Sequence, residues 1–178
     1  MKHLANLSLL RRASLRRSAA VLAALAVAGA TPGYAATATT TFAVTATVLS
    51  GCAVTATDLI FGNYSSTAAT PTNATSSVVA TCTNGVAYTI AADAGTGTGA
   101  TEAARSMTGL VGGGALNYLM YTNSVRTALW GDGTLSTTTF AGTAALLPQT
   151  YTVYGSIPIT QHPAAGLYAD LVTVTLSY

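Results

Sequence analysis

Residues 41–52 read Thr-Phe-Ala-Val-Thr-Ala-Thr-Val-Leu-Ser-Gly-Cys, and the first eight decide the fold class. Side chains of an extended chain alternate between two faces. Phe42, Val44, Ala46 and Val48 therefore share one face, while Thr41, Ala43, Thr45 and Thr47 share the other. A period of two, rich in β-branched residues, predicts a strand with one apolar side, and no helical period competes with it. The same pattern ends the chain, where Val172, Val174 and Leu176 alternate with Thr173, Thr175 and Ser177.

Between these two amphipathic strands lie short runs separated by Gly, Asn, Asp and Pro. Leu59-Ile60-Phe61 is an apolar run ended by Gly62-Asn63. Ser77 to Thr83 closes at Asn84-Gly85, a strong hairpin signal. Val86 to Ala91 then returns with Val86, Tyr88 and Ile90 on one face. Leu116 to Thr122 and Thr150 to Ile159 are the next strands, the second interrupted by Pro158, which marks an edge or a strand end. Tyr168 to Tyr178 reads as one terminal strand. Gly95 to Thr101 reads as a loop and Trp130-Gly131-Asp132-Gly133 as a turn. Short alternating strands at regular spacing predict an all-β sandwich or barrel.

Upstream, the composition changes. Lys2, Arg11, Arg12, Arg16 and Arg17 precede an uncharged apolar run from Ala19 to Ala30 and then Thr31-Pro32-Gly33-Tyr34-Ala35. A basic start, a short apolar segment and small residues at a cleavage position predict a secretory signal over residues 1–35. The apolar run is shorter than the roughly 20 residues that span a bilayer. Cleavage is expected after Ala35, with Gly33 at −3, ahead of Ala30 with Ala28 at −3. The paired arginines raise the twin-arginine route, but its usual flanking residues are missing, so the general secretory route is preferred.

The 143 residues that follow keep only Arg105 and Arg126 against Asp58, Asp93, Glu102, Asp132 and Asp170, a formal charge of −3. The basic balance of the whole chain thus belongs to its leader. Only 7% of the chain is charged and half is hydrophobic. That argues against a disordered tail, and also against a nucleic-acid binder, which needs clustered Lys and Arg. Cys52 and Cys82, an even pair in an exported protein, read as a disulfide. The closed loop of about 30 residues is worth roughly 3–3.5 kcal/mol in the chain-entropy model. Two buried free thiols are the alternative. A metal site is disfavoured, since neither cysteine has a second ligand at zinc spacing.

Candidate chemistry is sparse. His162 is the one histidine after the leader, and no nearby residue pairs with it as a nucleophile. The five acids are scattered, whereas acid–base work needs a close pair. Asp132 between Gly131 and Gly133 reads as a turn, because calcium wants several oxygen ligands. The Gly-rich stretch Gly95 to Gly99 precedes neither a lysine nor a helix, which a phosphate loop requires. Asn63-Tyr64-Ser65 and Asn73-Ala74-Thr75 match the glycosylation pattern, which a Thr-rich chain produces by chance. Gly166, Tyr168 and Asp170 read as a strand entry with a tight turn. The reading is non-enzymatic, with no metal and no cofactor.

The order of landmarks carries a resemblance. An alternating N-terminal strand runs into Gly51-Cys52-Ala53-Val54, then Leu59-Ile60-Phe61-Gly62-Asn63-Tyr64, and Val78 to Cys82 with Thr83-Asn84-Gly85. Arg105-Ser106-Met107, Leu116 to Tyr121, Trp130-Gly131-Asp132-Gly133, Val153 to Pro158, Gln161 and Gly166 to Asp170 follow in turn. This order resembles the spore coat protein U domain family, which includes subunits of archaic chaperone–usher pili, over essentially all of residues 40–178. The resemblance implies an incomplete immunoglobulin-like sandwich completed by a donor strand from a neighbouring subunit. A periplasmic chaperone first lends the missing strand, and an outer-membrane usher exchanges it for the N-terminal extension of the next subunit. This is strand addition to an open sheet.

On this reading residues 1–35 are the signal, 36–50 the donor-strand extension and 51–178 the pilin-type domain. Phe42, Val44, Ala46 and Val48 are the donor face, and Val172, Val174 and Leu176 form the acceptor edge. From pattern alone, 41–48 reads first as an ordinary first strand of its own domain; the resemblance reverses this in favour of the donor. The implied partners are the chaperone, the usher and other copies or related pilins, with membrane contact only through the usher. The implied location is the periplasm and then the cell surface, and the implied biology is attachment and biofilm formation. The alternative is a secreted spore or cell-surface coat protein of the same fold. A tip adhesin fits less well, since a tip carries an extra binding domain and needs no donor.

Overall fold

In the computed structural model, which describes residues 36–178, alternation is realised as nine strands. They are β1 (Cys52–Ala56), β2 (Thr72–Cys82), β3 (Ala87–Ala92), β4 (Arg105–Gly109), β5 (Ala115–Tyr121), β6 (Phe140–Thr143), β7 (Gln149–Ile157), β8 (Tyr168–Ala169) and β9 (Val174–Ser177). No helix occurs among the described residues. One sheet has the order β1-β2-β7-β5-β4-β8, the other β6-β3-β9, and all neighbours are antiparallel. The proposed leader, 1–35, lies outside the described residues. Contacts divide the chain between Val44 and Thr45, and all nine strands belong to the unit Thr45–Tyr178.

The core follows from period two. Val78 and Ala80 of β2, Leu116, Tyr118 and Met120 of β5, and Val153 and Ile157 of β7 point inward from the larger sheet. Tyr88 and Ile90 of β3 and Phe140 of β6 join them in one buried cluster. Each of the larger aliphatic and Phe side chains among them contributes about 1.5–3 kcal/mol through removal from water. Trp130 sits among them with its ring 5.2 Å from Phe140, and its indole N–H donates to the Ile90 carbonyl at 3.1 Å.

The all-β expectation holds, with corrections. Ser77–Thr83 and Val86–Ala91 do not form a hairpin: β2 and β3 lie in different sheets. Both edges of β2 are already occupied, by β1 and β7. The turn at Thr83–Val86, with Gly85 at φ 82°, therefore carries the chain from one sheet to the other. The terminal strand expected over Tyr168–Tyr178 is broken, because β8 pairs with β4 and β9 pairs with β3, so residues 170–173 cross between the sheets. Pro158 does end a strand, but β7 is central rather than an edge. β4 and β6 are additional strands, short and made largely of Gly, Ser, Thr and Ala.

Cys52 and Cys82 are directly opposite one another in the β1–β2 ladder and are joined as a disulfide. The bridge ties the short β1 to the longest strand of the sheet.

Candidate functional site

β9 ends its sheet. β3 pairs with one of its edges; no strand is hydrogen-bonded to the other, although β1 lies close to β9, and Val174 lines a cleft of about 1080 Å³ that opens between the sheets. Val78, Met120, Val153 and Ile157 line its floor, all of them apolar and buried. Two segments flank it, residues 57–66 after β1 and residues 163–172, which include the two-residue β8, before β9.

The first flank alternates as a strand would: Leu59 and Phe61 are half-buried and Ile60 is 75% exposed. The inward pair rests on β7 where Gly155 leaves room. A Cβ there would come within 2.7 Å of Leu59 and 2.8 Å of Phe61. Phe61 also meets Tyr118 edge-on, with centroids 6.0 Å apart. The segment is pinned at its far end by Tyr64. Its hydroxyl donates to the Gln161 carbonyl at 3.2 Å and accepts from the Gln161 N–H at 3.0 Å. Between Asp58 and Asn63 the backbone makes no hydrogen bond among the described residues. Here is a strand-like segment without a ladder.

The second flank is held by two carboxylates. Asp170 Oδ1 accepts from the Thr96 N–H at 2.7 Å, the Thr96 hydroxyl at 2.9 Å and the Leu171 N–H at 2.8 Å. Its Oδ2 accepts from the Tyr118 hydroxyl at 2.6 Å. Burial, and then this bond to Asp170, push the Tyr118 phenol well above its ordinary range. Asp93 extends the β3–β9 ladder by one step. Its N–H donates to the Thr173 carbonyl at 3.0 Å, and its Oδ1 accepts from the Thr173 N–H at 2.9 Å and the Gly95 N–H at 3.0 Å. Burial pushes the Asp93 carboxyl up, but hydrogen bonds from Thr173 and Gly95 and the charge of Arg105 outweigh it, so the group is held below its ordinary value.

Arg105 is completely buried beneath this corner. Its guanidinium donates to the carbonyls of Glu102 (2.6 Å), Asp93 (2.7 Å), Trp130 (2.9 Å) and Ala92 (3.3 Å). A buried charge needs this degree of satisfaction. Burial lowers its pKa from the ordinary value.

Of the acceptor residues expected from sequence, Val174 and Leu176 lie on β9 and Val172 just before it; all three are half-buried against the core. Val172 and Val174 line the cleft, while Leu176 sits beyond its lining. The expected donor residues Phe42, Val44 and Val48 are 85%, 83% and 82% exposed, Ala46 is exposed too, and residues 36–51 form no strand.

His162 is exposed. Asp132 caps its own turn by accepting from the Thr134 hydroxyl and N–H at 2.7 and 2.8 Å, bonds that hold its carboxyl below the ordinary value. No group of three potential metal ligands occurs among the described residues. The sequence gives no functional part to Asp93, Thr96, Arg105 or Asp170, and Asp170 is a hub rather than a mere strand entry. The available signal was an acid set inside an otherwise apolar alternation in a chain with five acids.

A family model, the Spore Coat Protein U domain, matches residues 38–175. No curated protein matches the chain. Among solved structures, the chain is similar to one in the CsuC-CsuE chaperone-tip adhesion subunit pre-assembly complex from archaic chaperone-usher Csu pili of Acinetobacter baumannii, with a TM-score of 0.56 and 24% identity. The match covers 74% of this chain and 41% of that one, so the chain spans well under half the length of the chain it matches. The likeness is one of fold, that of an incomplete immunoglobulin-like sandwich.

Proposed function

The chain belongs to the Spore Coat Protein U domain family, a structural and non-enzymatic family, and from that premise we propose that it is a subunit of an extracellular chaperone–usher pilus assembled by donor-strand exchange. The observation that carries this reading is the apolar cleft beside the uncovered edge of β9. An open edge over an apolar groove aggregates unless a strand covers it. A strand laid there gains main-chain hydrogen bonds from the edge and buries every second side chain in the groove.

Residues 36–50 have the composition of that strand. Phe42, Val44, Ala46 and Val48 supply an apolar face, and eight extended residues span about 26 Å. Before polymerisation a periplasmic chaperone would occupy the same cleft, and an outer-membrane usher would direct the exchange. Residues 1–35 act as the export signal, and the assembled fibre supports attachment and biofilm formation. The family's name keeps a secreted coat role as the second reading, with the same strand exchange at the cell surface.

The test is deletion of residues 36–48, with fibres counted by electron microscopy at matched subunit expression. Loss of fibres with retention of the folded subunit is the expected result. Intact polymers after the deletion would return residues 41–48 to an ordinary strand of their own domain. Genes for a chaperone and an usher beside this one favour the pilus, and their absence favours the coat.

A further inference from the structure

The cleft has one wall that is built rather than simply left over. Residues 170–173 leave the larger sheet after β8 and enter the smaller one at β9, and Asp170, Leu171 and Val172 all line the cleft. Up to Thr173, whose carbonyl takes the Asp93 N–H, the crossing segment has no ladder. Its N–H groups are met instead by side chains: Leu171 by Asp170 Oδ1 and Thr173 by Asp93 Oδ1. Among the described residues the Val172 backbone makes no hydrogen bond, which leaves it available to a strand in the cleft.

The loop over Asp170 is fitted to it. A Cβ at Gly95, which has φ +84°, would fall on the Asp170 carboxylate, so glycine alone permits the approach that brings Thr96 into contact. Beneath, Tyr118 fixes the second carboxylate oxygen from β5, and the buried Arg105 fixes the Asp93 carbonyl from β4. The loop at Gly95 and Thr96, β5 and the crossover thus converge on two carboxylates, which tie that loop to the segment that leads into the open edge.

We propose that Asp93 and Asp170 are positioning residues for strand capture: they hold residues 170–173 so that the edge from Val172 onward lies along the cleft in the register an incoming strand needs. The inference rests on the strand-exchange reading above and adds the residues that preset its acceptor. The incoming strand is residues 36–50 of a second copy. The carboxylates never touch it; they act through the backbone of residues 171–173.

The experiment follows release of a fluorescent peptide of residues 36–50 from the purified full chain, alongside the thermal midpoint of the peptide-free protein. Asp170→Asn and Asp93→Asn should each release the peptide about tenfold faster, the scale of losing hydrogen bonds to a charged group. Thr96→Val removes one donor from an exposed residue, and release about threefold faster with an unchanged midpoint is expected. Phe140→Leu, a core change in β6 outside the cleft lining, is the comparison: it should lower the midpoint and leave release unchanged.

If release simply tracks the midpoint through all four variants, the two aspartates are ordinary structural residues and the proposal is overturned. Should Asp170→Asn not accumulate, Thr96→Val decides alone, because unchanged release from it contradicts the proposal. A wild-type chain that captures no peptide removes both this inference and the strand-exchange reading. Capture with equal release from every variant removes only this inference.

Discussion

Two stretches of the chain share one pattern and meet opposite ends. Residues 41–48 and 172–177 both alternate apolar with Thr or other small residues, yet Val172, Val174 and Leu176 are half-buried while Val44 is 83% exposed. The difference teaches that alternation specifies faces and leaves the partner open. Residues 174–177 pair with β3, with Ala92 opposite Val174, and Asp93 and Asp170 hydrogen-bond the crossover that leads into them. Residues 41–48 precede the disulfide, and the first ladder of the domain starts at Cys52 itself. A stretch with two faces and no pairing among the described residues is what the proposed strand exchange asks of a donor.

The bridge is where the comparison breaks most sharply. Replacing Cys52 and Cys82 together by Ser should cost about 3 kcal/mol and lower the thermal midpoint by roughly 10 °C, because β1 is hydrogen-bonded to a single strand, β2. Calorimetry on the purified protein measures this, and an unchanged midpoint would show that β1 needs no tether. Next in size is Val174→Asp. A charge beside the apolar cleft should cost roughly 2 kcal/mol and also prevent strand capture, so stability and fibre yield fall together.

Sequence reached the parts of this architecture that depend on local period. β2, β3, β5 and β7 lie within a few residues of the runs read as strands, and the even cysteine pair read as the bridge that the structure contains. It did not reach the parts that depend on distant partners. The Asn84-Gly85 signal marked a real turn, but the choice between a hairpin and a passage to the other sheet was made by β1 and β7, which occupy both edges of β2. The break at residues 170–173 was hidden for the same reason. Asp170 meets Tyr118 and Thr96, which lie 52 and 74 positions away, and no window on the sequence spans that distance. Arg105 read only as a landmark because nothing local announces that four backbone carbonyls will surround it.

A smaller effect separates the two stretches by pH. The Asp93 carboxyl is held below its ordinary value in the folded protein, so its contribution is full above the unfolded value of about 4 and is lost as pH falls through the lower folded value. Acid should therefore loosen the 170–173 crossover and leave residues 41–48 untouched. Amide exchange at Thr173, whose N–H donates to Asp93, is the measurement. In wild type it should accelerate in acid relative to amides in β5, and in Asp93→Asn it should be fast at every pH. A Thr173 amide that follows β5 throughout would mean that the ladder, not the carboxylate, protects it.

The smallest expected change in stability belongs to Val44→Asp. Val44 is 83% exposed and lies outside the unit that holds all nine strands, so a charge there meets water and the unfolding midpoint should move by less than about 0.5 kcal/mol equivalent. Fibre assembly should nevertheless fail, since the same side chain in the cleft of a second copy would carry an unpaired charge into apolar surroundings at a cost of several kcal/mol. Thr45→Asp, one residue along and on the opposite face, should spare both properties. The pair separates a donor strand from a poorly packed first strand. In the donor case Val44→Asp subunits are as stable as wild type and form no fibres, while Thr45→Asp subunits polymerise. In the other case fibre loss follows destabilisation of the subunit itself, and electron microscopy beside calorimetry on the same two variants tells which holds.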